Sequence, residues 1–279
     1  MTLTQMREIL TAHGIQLTKS LGQNFLHDVN QLRRIVEAAE LSASDRVLEI
    51  GPGLGPLTEL LLDRAAHVLA LELDERFVEI LRQNFSGNPK LEVRHKDALA
   101  FVRHQQRDWG GWKLVANLPY SVASPVLVEL AQAEHPPERM TVTLQLEVAQ
   151  RLAATAGDDD FGVLTLLVQL TFAPAGMFKI SPECFFPAPD VVSACLTLLR
   201  RPEPLLPREL HGSFTRIVKR AFSQRRKMML KLLRTDWPGE RLEAAFTTLK
   251  ISPQARAETV SLENFVELTR MLTAHSTSA

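Results

Sequence analysis

The segment Val115 to Ser124, VANLPYSVAS, sets Asn117, Leu118, Pro119 and Tyr120 side by side, and Tyr120 is the one tyrosine among 279 residues. A carboxamide oxygen and a neighbouring main-chain carbonyl are two hydrogen-bond acceptors. The lone pair of an exocyclic adenine amine is delocalised into the ring. Acceptors aimed at both of its N–H bonds favour the pyramidal nitrogen that attacks a methyl group, which stabilises the transition state over the ground state. The Asn117 side chain and the Leu118 carbonyl have the right chemistry, and Pro119 fixes the turn that exposes that carbonyl. Tyr120 offers a face for an extruded base to stack on. The amine becomes acidic once alkylated, so a dedicated general base is not needed.

A second set of residues could hold the methyl donor. In EIGPGLG, Gly51, Gly53 and Gly55 lie where a buried apolar run gives way to a helical pattern, and glycines there allow a tight turn and close approach of a ligand. Their spacing is G-x-G-x-G, whereas a dinucleotide fold wants G-x-G-x-x-G with a pyrophosphate on the helix terminus. Glu72 stands roughly 20 residues further on, where a carboxylate meets ribose hydroxyls. Asp97 in HKDAL adds an acceptor suited to an adenine amino group. Glycines, Glu72 and Asp97 together describe a nucleoside cofactor without a diphosphate, which fits S-adenosylmethionine better than a nicotinamide dinucleotide.

These residues need a scaffold that brings strand ends together. DVNQLRRIVEAAEL has apolar residues at helical spacing, with Asp28 and Gln31 placed as a capping box. Strand runs RVLEI, HVLALELD, LEVRH, KLVAN and TVTLQLE then alternate with helical stretches, one of which starts at Ser124 with Pro125 in its first position. Alternation of this kind predicts an α/β fold, a parallel sheet with helices on both faces, and ligands bound beyond the carboxyl ends of its strands. AGMFKI and VVSACLTLLR read as two further strands joined by SPECFFPAPD. RPEPLLP reads as a linker, and the apolar spacing beyond it predicts a helical remainder. The expected division is residues 1–200 and 201–279.

Charge is unevenly spread. The chain is neutral overall, with 32 basic and 32 acidic residues, yet eleven basic residues between Arg200 and Arg234 face only Glu203 and Glu209, a local +9. Such asymmetry predicts a polyanion partner for the second part, with Arg220, Arg225, Arg226 and Lys227 meeting phosphates. Cys184 and Cys195 lack the companions of a metal cluster or disulfide scaffold. With no signal-like apolar core in MTLTQMREIL, the expectation is a cytoplasmic protein without a metal or a membrane span.

The stretches LGQNFLHD, EIGPGLGPLT, NLPYSVASP, QLEVAQRL, FFPAPDVVSA and FSQRRKMMLKLL resemble the rRNA adenine N6-dimethyltransferase family, most closely its small-subunit branch. The resemblance covers nearly the whole chain. It implies a Rossmann-like methyltransferase domain followed by a small all-helical domain. It further implies S-adenosylmethionine as cofactor and dimethylation of two adjacent adenines in the 3′-terminal hairpin of 16S rRNA, by a monomer acting on a small-subunit precursor rather than on DNA. The family's cofactor contacts fall on Asn24, Leu26, Gly51, Glu72, Asp97 and Asn117. Its stacking aromatics fall on Tyr120 and on Phe185, beside which Phe186 is an equal candidate. Met228 replaces the threonine that commonly follows the family's R-R-K. Alternatives are an amino-group methyltransferase acting on large-subunit rRNA, DNA or protein glutamine, and an assembly factor with a vestigial pocket.

Overall fold

A computed structural model describes residues 1–17, 24–104 and 107–274. Helix α1 (Leu3–Ala12) precedes a two-residue strand, β1 (Phe25–Leu26), and α2 (Val29–Ala38). Then β2 (Arg46–Ile50), α3 (Pro56–Arg64), β3 (His67–Glu72), α4 (Glu75–Asn84), β4 (Leu91–His95), α5 (Ala98–His104), β5 (Trp112–Asn117), α6 (Ala123–Ala131) and β6 (Arg139–Gln145) alternate. They are followed by α7 (Leu146–Ala153), α8 (Val163–Gln169), β7 (Phe172–Ile180), β8 (Phe185–Phe186) and β9 (Ser193–Arg200). Last come α9 (His211–Ala221), α10 (Met229–Leu233), α11 (Gly239–Thr248) and α12 (Leu262–Thr273).

Seven strands form one sheet in the order β4-β3-β2-β5-β6-β9-β7. β4 through β6 run parallel, as the alternation requires, and β9 pairs antiparallel with β6. The order reverses at β2 and β5, which places a crevice beyond their carboxyl ends. On one face Val47, Val68, Val115 and Cys195 pack with Leu32, Ile35 and Val36 of α2 and Leu57 and Leu61 of α3. The alternate residues Leu48, Leu69 and Leu114 are buried too, so both faces are covered and the strands read as continuous apolar runs. A second apolar cluster joins Met6 and Leu10 of α1 to Phe25, Leu54, Phe77 and Ile80.

Local chemistry sets the helix ends. Asp28 accepts the Gln31 N–H at 2.9 Å, a one-sided cap, because the Gln31 side chain accepts instead from Arg34. The expected capping box is therefore half formed. α6 begins at Ala123, two residues before Pro125, with Val122 as its N-cap. No helix among the described residues is long and apolar enough to cross a membrane.

The chain divides into two compact units, Met1–Ala149 with Ala173–Arg200, and Gln150–Phe172 with Arg201–Ala279. Residues 150–172, counted with the first 200 by the sequence pattern, thus group with the carboxy-terminal part. The reason is local packing. α8 lies against α9, Phe161 meets Phe222 at 6.4 Å, and Gly157 N–H donates to the Glu258 carbonyl. Within this unit α9 buries Phe214, Ile217, Val218 and Ala221, and Phe222 stacks on Phe265.

Leu61 is fully buried between α3 and the sheet. Its replacement by alanine is expected to cost about 2–5 kcal/mol in urea unfolding. Asp63→Ala, on the exposed side of the same helix, should stay within about 0.5 kcal/mol.

Candidate active site

β2 ends at Ile50, and the chain turns into α3 through Gly51, Gly53 and Gly55, at φ of 68°, 58° and 87°. Gly53 meets two demands. A Cβ there would stand 2.5 Å from the Phe25 ring, and its N–H donates to Glu72 Oε2 at 3.0 Å. At Gly51 a Cβ would come within 3.1 Å of the Pro119 ring, so the glycine turn and the N-L-P-Y turn lie against each other.

Glu72, the last residue of β3, is buried. Its Oε1 accepts the N–H groups of Leu73 and Asp74 at 2.8 and 3.0 Å. Burial pushes its pKa up, opposed by these donors and that of Gly53. Asp97, two residues beyond β4, caps α5 by accepting the Ala100 N–H at 2.7 Å and lies in the cleft wall. Leu73 is half exposed beside Glu72 and gives the rim an apolar surface.

Asn117 ends β5. Its Nδ2 donates to the Asn24 carbonyl at 3.0 Å, which turns Oδ1 the other way, as an acceptor. The Leu118 N–H donates to the Thr143 carbonyl at 3.2 Å, tying the turn's first peptide to β6, and Val122 N–H closes on the Pro119 carbonyl. The Tyr120 hydroxyl lies 2.7 Å from Ser193 Oγ.

Asn24, Leu26, Gly51, Gly53, Glu72, Asp97, Asn117, Leu118, Pro119 and Tyr120 line one cleft. Phe185 does not join them. It is 3% exposed and packs in the core with Leu26, Leu32 and Ile35. The antiparallel pairing of β8 with β1 sets Leu26 opposite Phe185 and Phe25 opposite Phe186. Neighbouring residues on a strand point to opposite sides, so the Phe185 ring goes inward, while Phe186 lies under the Arg7 guanidinium. Of the family's QNFL segment, Gln23 lies outside the described residues.

The basic residues belong to the other unit. Arg225, Arg226 and Lys227 are exposed in the turn between α9 and α10, with Arg225 donating to the Asp159 carbonyl at 3.4 Å. Arg220 differs from this group, because its guanidinium pairs with Asp236 at 2.5 and 3.2 Å. That carboxylate falls just past the basic segment, outside the span over which its charge was counted.

Sequence reasoning passed over Glu49, whose signal was an acid inside the apolar run RVLEI. It lines the cleft at 1% exposure, with its Oε2 and the nearby Thr58 hydroxyl buried without hydrogen-bond partners. Burial pushes its pKa up to about 8, opposed by the nearby Thr58 hydroxyl and reinforced by the charge of Glu72. A buried carboxyl without an ion-pair partner, beside a second buried carboxyl group, suits a ligand that carries hydroxyl and amino donors and whose positive charge would favour ionising it. S-Adenosylmethionine is such a ligand, and the residues present fit it. When the folded pKa lies above the unfolded one, the folded state holds a proton that the unfolded state has released, so stability falls as pH rises from about 4.5 to about 8. Glu49→Gln should therefore match the wild type near pH 4 and exceed it by a few kcal/mol near pH 8 in cofactor-free urea melts. A difference that ignores pH would contradict a protonated Glu49.

Comparison with known proteins identifies the family. Residues 14–274 match the family model described as ribosomal RNA adenine dimethylase. A relative from Geobacter metallireducens named ribosomal RNA small subunit methyltransferase A is 40% identical, over 95% of this chain and 98% of its own. One of the same name from Geobacillus kaustophilus is 38% identical, over 95% and 94%. Among solved structures, the 23S rRNA methyltransferase ErmE is 31% identical with a TM-score of 0.70, covering 89% of this chain and 99% of its own. A dimethyladenosine transferase from Plasmodium falciparum shares the fold at a TM-score of 0.75 and 24% identity, over 88% and 95%. With a Rossmann-like sheet, a glycine turn against N-L-P-Y and a match along nearly its whole length, the chain belongs to the ribosomal RNA adenine dimethylase family.

Proposed function

We propose that this chain is an S-adenosylmethionine-dependent methyltransferase that converts two adjacent adenines in the 3′-terminal hairpin of 16S rRNA to N6,N6-dimethyladenosine during small-subunit biogenesis. The observation that carries this reading is the Asn117 carboxamide, whose amide is held by Asn24 so that its oxygen is left to accept at the rim of the cleft.

The cofactor supplies an electrophilic methyl group on a positively charged sulfur. Glu72 would accept from the cofactor's ribose hydroxyls, Asp97 from its adenine amino group, and Glu49 would offer its buried carboxyl to a donor or cation. Asn24, Leu26, Gly51 and Gly53 shape the wall between them. On the substrate side, Asn117 Oδ1 and the Leu118 carbonyl accept the two N6 hydrogens of the target adenine, Pro119 holds that carbonyl in place, and Tyr120 stacks on the base. Alkylation acidifies the nitrogen, and its proton passes to solvent without a basic side chain.

Arg225, Arg226 and Lys227 meet RNA phosphates, which positions the substrate without reading its sequence. Arg220 contributes less, because Asp236 already holds its guanidinium. The protein acts as a monomer in the cytoplasm on a small-subunit precursor, not on DNA or at a membrane. The identity of 38–40% to small-subunit relatives over almost their whole length supports the 16S substrate. The ErmE likeness supports a second reading, methylation of large-subunit rRNA.

Mass mapping of nucleosides after incubation with unmodified small-subunit particles separates the two readings. Dimethyladenosine at two adjacent positions near the 3′ end of 16S rRNA is expected; its appearance only in large-subunit RNA would favour the second. Asn117→Ala should lower kcat by about 10²–10³-fold with cofactor and RNA affinities largely kept, and full activity would remove the acceptor role. Glu72→Ala should weaken cofactor binding in calorimetry, whereas unchanged affinity would place Glu72 outside the site.

A further inference from the structure

Phe185 is buried in the core and does not line the cleft that Tyr120 lines. A base stacks well on a ring only when the ring keeps one orientation, so what restrains Tyr120 matters to the reaction. The chain carries 13 phenylalanines and a single tyrosine, so packing elsewhere is left to rings without a hydroxyl. At position 120 the hydroxyl has a defined partner, Ser193 Oγ, at 2.7 Å.

Ser193 is itself anchored in the sheet. It is fully buried, begins β9, and stands opposite Gln145 in the antiparallel register with β6. Just before it, the Val192 carbonyl accepts the Leu146 N–H at 2.9 Å. The bond therefore ties the turn after β5 to a strand that lies beyond β6. Burial pushes the Tyr120 phenol above its ordinary pKa, partly offset by Ser193, so the hydroxyl stays protonated and keeps its bond through the neutral range.

We propose that Ser193 is a positioning residue for methyl transfer: it tethers the Tyr120 hydroxyl and so fixes the ring as the stacking face for the target adenine. This rests on the stacking role proposed for Tyr120. The serine touches neither substrate nor cofactor and acts only through the ring. Tyr120→Phe, which keeps the ring and loses the tether, should then behave like Ser193→Ala.

Two readouts test this. The single tyrosine means that protein grown with 3-fluorotyrosine gives one fluorine resonance from position 120 alone. Ser193→Ala is expected to shift or broaden that resonance in RNA-free protein while leaving the cofactor Kd unchanged. On unlabelled protein, Ser193→Ala and Tyr120→Phe should each lower kcat on small-subunit particles by about tenfold, the scale of one lost hydrogen bond, and the double variant should lose no more than either. An unmoved resonance, unchanged kcat in the single variants, or losses that multiply in the double variant would each overturn the role. Wild-type protein inactive on the particles would instead overturn the functional reading, and this inference with it.

Discussion

The hydrogen bond from Asn117 Nδ2 to the Asn24 carbonyl decides which end of a carboxamide meets the ligand. A primary amide can present a donor or an acceptor, and only the acceptor helps an amine become nucleophilic. Fixing that choice takes a backbone carbonyl from 93 residues earlier, delivered by the segment entering β1. β1 in turn is held by its pairing with β8 and by Phe25 and Leu26, which fill two apolar clusters. The amino-terminal part of the chain is thus part of the site's geometry, although most of the chemistry sits on strand ends.

The same economy governs the cofactor side. Gly53 gives its N–H to Glu72 and leaves room for Phe25, while Gly51 leaves room for Pro119. Small residues at two positions therefore join three turns that are distant in sequence. On the cofactor side of the cleft Glu49 and Glu72 are both taken out of water, and burial pushes the pKa of each up. Ionising either of them there carries a desolvation cost, which a cation bound beside them would lower.

Much of this was legible in the sequence because strand ends in an α/β sheet are punctuated by glycine, acid and proline. The elements β2 to β6, the glycine turn, Glu72, Asp97 and Asn117 all lie on that pattern. Residues whose role depends on a long-range neighbour were not legible. FF at positions 185 and 186 reads equally well with either ring toward the cleft, and only the two-residue pairing with β1 turns Phe185 inward. Arg220 reads as a free cation until Asp236 is brought beneath it by the fold of α9 and α10. Residues 150–172 read as part of the first unit until the packing of α8 on α9 and of Phe161 on Phe222 draws them into the second. Glu49 was visible as an acid in an apolar strand, but its meaning needed the burial of its neighbours.

The most direct measurement is a crystal structure of the protein with a non-reactive S-adenosylmethionine analogue and an adenine-containing RNA hairpin. The adenine N6 is expected about 3 Å from both Asn117 Oδ1 and the Leu118 carbonyl, with the Asn117 amide still on the Asn24 carbonyl. An N6 bonded to neither oxygen, or an Asn117 carboxamide turned with Nδ2 toward the base, would contradict the paired-acceptor site.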